Sequence, residues 1–156
     1  MVVVTCVVIE GRKNKESRVL ILKRSQGESE GPGLWTIPGG RIESRDWKKL
    51  KIAKPGRDYF TGAFEKACRR ELKEETGLIG NKFHILTGHE IMFIRSSGQP
   101  TIVLVFWTKR TKWTRSHLRK SSDIFRWVKP EELDGYQFIG DVKNCIRSAL
   151  KVAAHS

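Results

Sequence analysis

Acidic residues are scarce in this chain. Its 156 residues hold 17 Asp plus Glu against 30 Lys plus Arg, for a formal net charge of +13 and a pI near 10.0. Such a field gathers polyanions: nucleotides, nucleic acids or anionic surfaces. The plain alternative is a highly charged solvated surface. Cysteine is sparse too. Cys6, Cys68 and Cys145 are odd in number and form no CxxC pair, which excludes a disulfide framework and points to a reducing compartment, with the thiols acting as small apolar residues. Long apolar runs are missing. MVVVTCVVI and TIVLVFW are the longest and fall well short of a bilayer, so no membrane partner is expected. The N-terminus lacks a basic n-region and a small-residue cleavage site, and a cytoplasmic protein is the expectation. There is no internal repeat and no linker-like stretch, so residues 1–156 read as one domain. With 38% hydrophobic and 30% charged residues, that domain is globular rather than disordered.

What is present reads as an α/β protein with a central mixed sheet and helices on its faces. Residues 2–9 and 18–23 are rich in β-branched and aliphatic residues and predict two strands paired as a hairpin. SQGESEGPG (25–33) predicts a flexible loop, followed by the short extended piece LWTIPGG. Residues 41–58 carry seven basic and three acidic residues and read as a basic surface excursion with one short helical turn. A helix is expected over 62–76, where Phe64, Cys68 and Leu72 form an apolar stripe and Gly77 a left-handed cap. Residues 82–95 and 100–108 predict strands, the second central. A basic loop (109–122), a short strand IFRWV, a turn at Pro130 and a terminal amphipathic helix complete the pattern.

One feature opposes the overall charge. RRELKEETGL (69–78) places Glu71, Glu74 and Glu75 within five positions. On a helix these lie three or four apart on neighbouring rows, and like charges at that spacing cost a few tenths of a kcal/mol per pair. They also sit near the helix C-terminus, where the macrodipole disfavours anions. Arg69, Arg70 and Lys73 offer ordinary helix-surface pairing as one compensation. A divalent cation is the other, because several carboxylates with nearby backbone carbonyls suit Mg²⁺.

The stretch Arg70-Glu71-Leu72-Lys73-Glu74-Glu75-Thr76-Gly77-Leu78, with Gly33-Leu34-Trp35-Thr36-Ile37-Pro38-Gly39-Gly40 upstream, resembles the box and lead-in of the Nudix hydrolase family. The resemblance implies an α/β/α sandwich and the hydrolysis of nucleoside diphosphates linked to a further moiety. It implies Mg²⁺ or Mn²⁺ held by Glu71, Glu74 and Glu75, with Glu75 central and the carbonyl of Gly39 or Gly40 adding a ligand. It implies Glu71 as general base and Arg70 as the group that orients the glutamates. Asp123 is the expected auxiliary carboxylate from a late loop. The family pattern G-x5-E-x7-RE is interrupted. Counting back from Arg70 reaches Gly62 where a glutamate belongs, so about 16 residues look inserted between PGG and the helix, with Asp58 the expected substitute.

Substrate identity is less legible. A nucleoside triphosphate or NDP-linked small molecule is the first expectation. RNA bearing 5′ phosphates is the second, motivated by the basic stretches 41–58 and 109–129 with Trp47 and Trp113 among their cations. A non-catalytic nucleotide-binding module is the third. Arg41, Phe93, Trp113 and Asp141 are the candidate substrate contacts. The plain alternatives are a core position for Phe93 and a helix N-cap for Asp141. The oligomeric state is not legible.

Overall fold

The computed structural model describes residues 1–11, 16–48, 61–113 and 125–156, with the backbone alone over 110–113. Strand β1 (Val2–Glu10) is central. It runs parallel to β8 (Pro100–Trp113) from Val2↔Ile102 to Ile9↔Lys109. Its other edge is divided. Ile9 and Glu10 pair antiparallel with β2 (Arg18–Lys23), and Val3 to Thr5 pair antiparallel with β4 (Gly39–Arg41). β2 also pairs with β3 (Trp35–Thr36) and β9 (Phe125–Val128). The outer edge of β8 receives β5 (Leu78–Gly80), β6 (His84–Ile85) and β7 (Ile91–Ile94). The sheet is mixed, as expected.

Side chains alternate across β1 and sort the core into two layers. Val7 and Ile9 pack with Val105 and Trp107 against Cys145, Ile146, Ala149 and Ala153 of α3 (Val142–Ala153). Val4, Cys6 and Val8 pack with Phe106 against Ala67, Cys68 and Leu72 of α2 (Ala63–Thr76). The chain is an α/β/α sandwich. A four-residue helix α1 (Ser44–Trp47) lies in the basic excursion, and Pro130–Gly135 forms a 3-10 turn.

Three expectations need correction, and one further strand appears. Phe64 is 44% exposed, and the buried face of α2 is Ala67, Cys68, Leu72 and Thr76; the stripe begins one turn later. Residues 82–95 are not one strand, because the turn at Thr87 and Gly88 (φ +80°) separates β6 from β7. Leu78–Gly80 is a strand, and it holds the end of β8 in the sheet as far as Trp113. The basic loop therefore starts later than residue 109. Gly77 behaves as expected: at φ +71° its N–H returns to the Lys73 carbonyl.

Candidate active site

The site is built where α2 crosses β4. Gly39 pairs with Thr5 and Gly40 with Val4. Flanking ladder bonds run from Ile42 N–H to the Val2 carbonyl and from Cys6 N–H to the Pro38 carbonyl. Antiparallel alternation then makes Gly40 a ladder-bonded residue and turns the polar groups of Gly39 away from β1. The Gly39 N–H accordingly donates to Glu75 Oε2 at 2.9 Å. Both glycines are demanded by close approach. A Cβ on Gly39 would lie 2.7 Å from Thr5 Cα, and one on Gly40 would strike the Glu71 carboxylate, 2.6 Å from its Oε2. The PGG turn is thus shaped to let helix carboxylates rest on backbone.

Arg70 organises the acids. Its Nε and Nη2 donate to the two oxygens of Asp46 at 2.8 and 2.9 Å. Its Nη1 donates to Glu71 Oε1 at 2.6 Å and to Glu74 Oε2 at 3.2 Å, and its Nη2 also reaches the Arg41 carbonyl at 2.9 Å. This is the planar fork that guanidinium provides and ammonium does not. Asp46 is 1% exposed. Burial alone would push its carboxyl up, but the bonds from Arg70 and the Glu43 N–H outweigh that and hold it below the usual range. Asp46 also accepts the Glu43 N–H at 2.8 Å, closing the capping box of α1. Arg45 of α1 adds a contact to Glu74 at 3.0 Å.

The remaining carboxylates are uncomfortable as anions. Burial pushes Glu71 up against the opposing hydrogen bond of Arg70. Burial pushes Glu75 up to about 7, with the Gly39 N–H opposing and the negative charge of Glu71 adding to the rise. The guanidinium of Arg70 is engaged by Asp46, Glu71 and Glu74. A hard divalent cation fits this set: two part-buried carboxylates, a third at 30% exposure, and the outward-turned backbone of Gly39.

A cavity of about 400 Å³ opens on the opposite face of the sheet from α2, and none of the three glutamates lines it. Thr5 links the two, since it lines the cavity and pairs with Gly39. Phe93 and Asp141 both line this cavity, with Arg24, Glu30, Arg95 and Ile139. Arg24 donates to the Glu30 carbonyl at 2.7 Å and to Glu28 at 2.9 Å, while Ser96 donates twice to Glu30 Oε1. The 25–33 loop is thereby tied to the β7–β8 hairpin rather than left free. The Arg41 side chain is exposed, does not line this cavity, and its carbonyl serves Arg70. Trp113 sits opposite Leu78 at the end of β8. Asp123, Asp58 and most of both basic stretches lie outside the described residues.

A family model for the NUDIX domain matches residues 1–144. The chain belongs to the Nudix hydrolase family. No curated protein matches it in sequence. Among solved structures it is similar to the NUDIX domain of Shewanella oneidensis NrtR complexed with ADP ribose, at 16% identity and TM-score 0.71 over 98% of this chain and 88% of that one. It covers 63% of the longer NrtR chain. It is similar to a C. elegans Ap4A hydrolase in a binary complex, at 18% identity and TM-score 0.67 over 99% and 98% of the two chains. It is also similar to MutT, studied from Aliivibrio salmonicida and Vibrio cholerae, at 20% identity and TM-score 0.61 over 96% of each.

Within the Nudix box, the salt bridge of Arg70 narrows where the insertion lies. Counting forward from Gly40 through five residues reaches Asp46, which occupies the place of the first glutamate and pairs with Arg70. The extra residues fall between Asp46 and α2, within the interval expected between PGG and the helix. The signal was available in the sequence, but only by counting forward from the glycine and accepting aspartate for glutamate. Arg24, Glu30, Arg95, His89 and Cys145 gave no sequence signal, because their roles come from tertiary placement.

Proposed function

We propose that this Nudix hydrolase is a Mg²⁺-dependent pyrophosphohydrolase cleaving the diphosphate linkage of a nucleoside triphosphate or another nucleoside diphosphate derivative. The observation that carries this reading is the pair Glu71 and Glu75. Burial destabilises both as anions, on a protein that otherwise presents positive charge. Glu71, Glu74, Glu75 and the Gly39 carbonyl would hold Mg²⁺ or Mn²⁺. Gly39 is preferred to Gly40, whose carbonyl the sheet ladder uses. A bound ion would neutralise phosphate charge and acidify a water.

The protein groups do the positioning. Arg70 fixes the rotamers of Glu71 and Glu74, and Asp46 fixes Arg70. Glu71 acts as general base on the attacking water. The cavity takes the nucleoside or the linked moiety, with Phe93 offering a ring face. The similarity to a domain bound to ADP ribose and to an Ap4A hydrolase supports a nucleotide as substrate.

The test is product release with Mg²⁺ from a matched panel of dGTP, 8-oxo-dGTP, ADP-ribose, diadenosine tetraphosphate and a short 5′-triphosphorylated RNA. Turnover of a small nucleotide is the expected result. Selective action on the RNA would move the substrate assignment to the basic stretches, and inactivity on all five would favour a binding module.

A further inference from the structure

A second cluster of ligating side chains lies outside the carboxylate site. His89 stands in the loop between β6 and β7, Asp141 precedes α3, and Cys145 lies four residues later on the same helical face. The His89 ring nitrogen, an Asp141 oxygen and Cys145 Sγ all fall within 4.8 Å of one another. Around tetrahedral Zn²⁺, such ligands stand roughly 3.3–3.8 Å apart, from bond lengths of about 2.0–2.3 Å. The observed spacing needs a closure of about 1 Å or so, within reach of side-chain rotation. Two features mark Asp141 as more than a helix cap. It sits at the N-cap position yet makes no side-chain cap bond, and its Oδ1 instead accepts Asn144 Nδ2 at 2.5 Å. That bond restrains the carboxylate, as hydrogen-bonded outer partners restrain metal ligands.

The geometry points to a second cation site in this protein, in which His89, Asp141 and Cys145 bind a borderline-soft divalent ion such as Zn²⁺. Thiolate and imidazole select this class over Mg²⁺, whereas the α2 carboxylates select the reverse. Asp141 and Cys145 line the cavity, so an ion between them sits in the wall of the space beside Thr5 and Phe93. Three protein ligands leave one tetrahedral position for water or for a nitrogen or oxygen of whatever occupies the cavity. Cys145 is fully buried, and burial pushes its thiol up to about 11. Binding therefore exchanges a thiol proton for the metal.

The test is Co²⁺ titration of the whole chain in excess Mg²⁺, read by absorbance. The expected result is one near-ultraviolet thiolate-to-Co²⁺ band that saturates at one ion per chain and is displaced by Zn²⁺. Cys145→Ala is expected to abolish the band. His89→Ala, in a partly exposed loop where folding is not at risk, is expected to weaken Co²⁺ binding at least tenfold. Glu75→Gln should leave the band unchanged, which separates this site from the carboxylate site. No band in the wild-type chain would overturn the proposal. So would a band that survives Cys145→Ala, or an affinity that His89→Ala leaves unaltered.

Discussion

At the residue scale, Glu75 carries the clearest prediction. Its carboxyl is raised to about 7 in the fold against about 4.3 in an unfolded chain. The folded state therefore binds more protons than the unfolded state between these values. The stabilisation is fully present below the unfolded pKa and is lost as pH rises through 7. Metal-free protein should accordingly lose roughly 2 kcal/mol of stability between about pH 5 and 8, somewhat less than the full shift implies because the group is partly exposed. Mg²⁺ should flatten that slope, and Glu75→Gln should remove it even without metal. Denaturant melts at several pH values, with and without Mg²⁺, read this directly.

Asp46 makes a second residue-scale prediction. It is 1% exposed and bidentate to Arg70, so Asp46→Ala leaves a part-buried guanidinium without its principal partner. A loss of about 3 kcal/mol is expected, together with a lower kcat from disordered Glu71 and Glu74. Asp46→Glu, which restores the residue type of the Nudix pattern, should recover much of both. Equal stability of Asp46→Ala and wild type would contradict the role given to this pair.

At the element scale, the two glycines of β4 should behave differently although they are neighbours. A methyl on Gly39 meets the backbone of Val4 and Thr5, which cannot yield. Gly39→Ala should destabilise the protein by about 1–3 kcal/mol. A methyl on Gly40 first meets the carboxylate end of Glu71, which is a flexible side-chain end and can swing away. Gly40→Ala should keep nearly normal stability while weakening Mg²⁺ activation at least tenfold. Thermal melts beside Mg²⁺ titrations of turnover distinguish the two. The helix that carries the acids is held by Ala67, Cys68 and Leu72 against Val4 and Phe106. Leu72→Ala, at 1% exposure, is expected to cost about 2–5 kcal/mol.

The elements also show what the sequence could and could not reveal. β1, β2, β8 as far as residue 108, α2 with its glycine cap, and α3 were legible because period and punctuation agree there. β5 was not, since three residues after a helix cap carry no periodic signal, and pairing with β8 alone makes them a strand. Phe64 was misassigned because a four-residue repeat identifies a helix face but not where the sheet beneath it ends. Asp46 was obscured by its neighbours: a buried acid in a segment of seven basic residues looks like surface until Arg70 is seen to reach it. Phe93 and Asp141 were legible only as candidate substrate contacts, whereas the arginines that share their cavity come from segments that only tertiary structure brings together.

At the scale of the whole molecule, the net charge of +13 suits the proposed site, which would take a cation and a phosphate-bearing substrate. Long-range charge should speed encounter with any nucleotide, and it fades with salt. A small nucleotide touching few surface cations should show kcat/KM changing less than about fivefold between ~50 and ~200 mM salt. An RNA held over three or more phosphates should lose roughly tenfold or more. This comparison tests whether the basic stretches are a substrate track or solvated surface.

The most direct measurement is Mg²⁺-dependent nucleotide hydrolysis by the wild-type chain and by Glu75→Gln and Glu71→Gln. The expected result is saturable activation by Mg²⁺ in the wild type, a drop in kcat of about 10²- to 10⁴-fold in Glu71→Gln, and a loss of Mg²⁺ activation in Glu75→Gln with the fold intact. Turnover independent of Mg²⁺, or undiminished in Glu75→Gln, would contradict the claim that these acids hold the metal that acts on the phosphates.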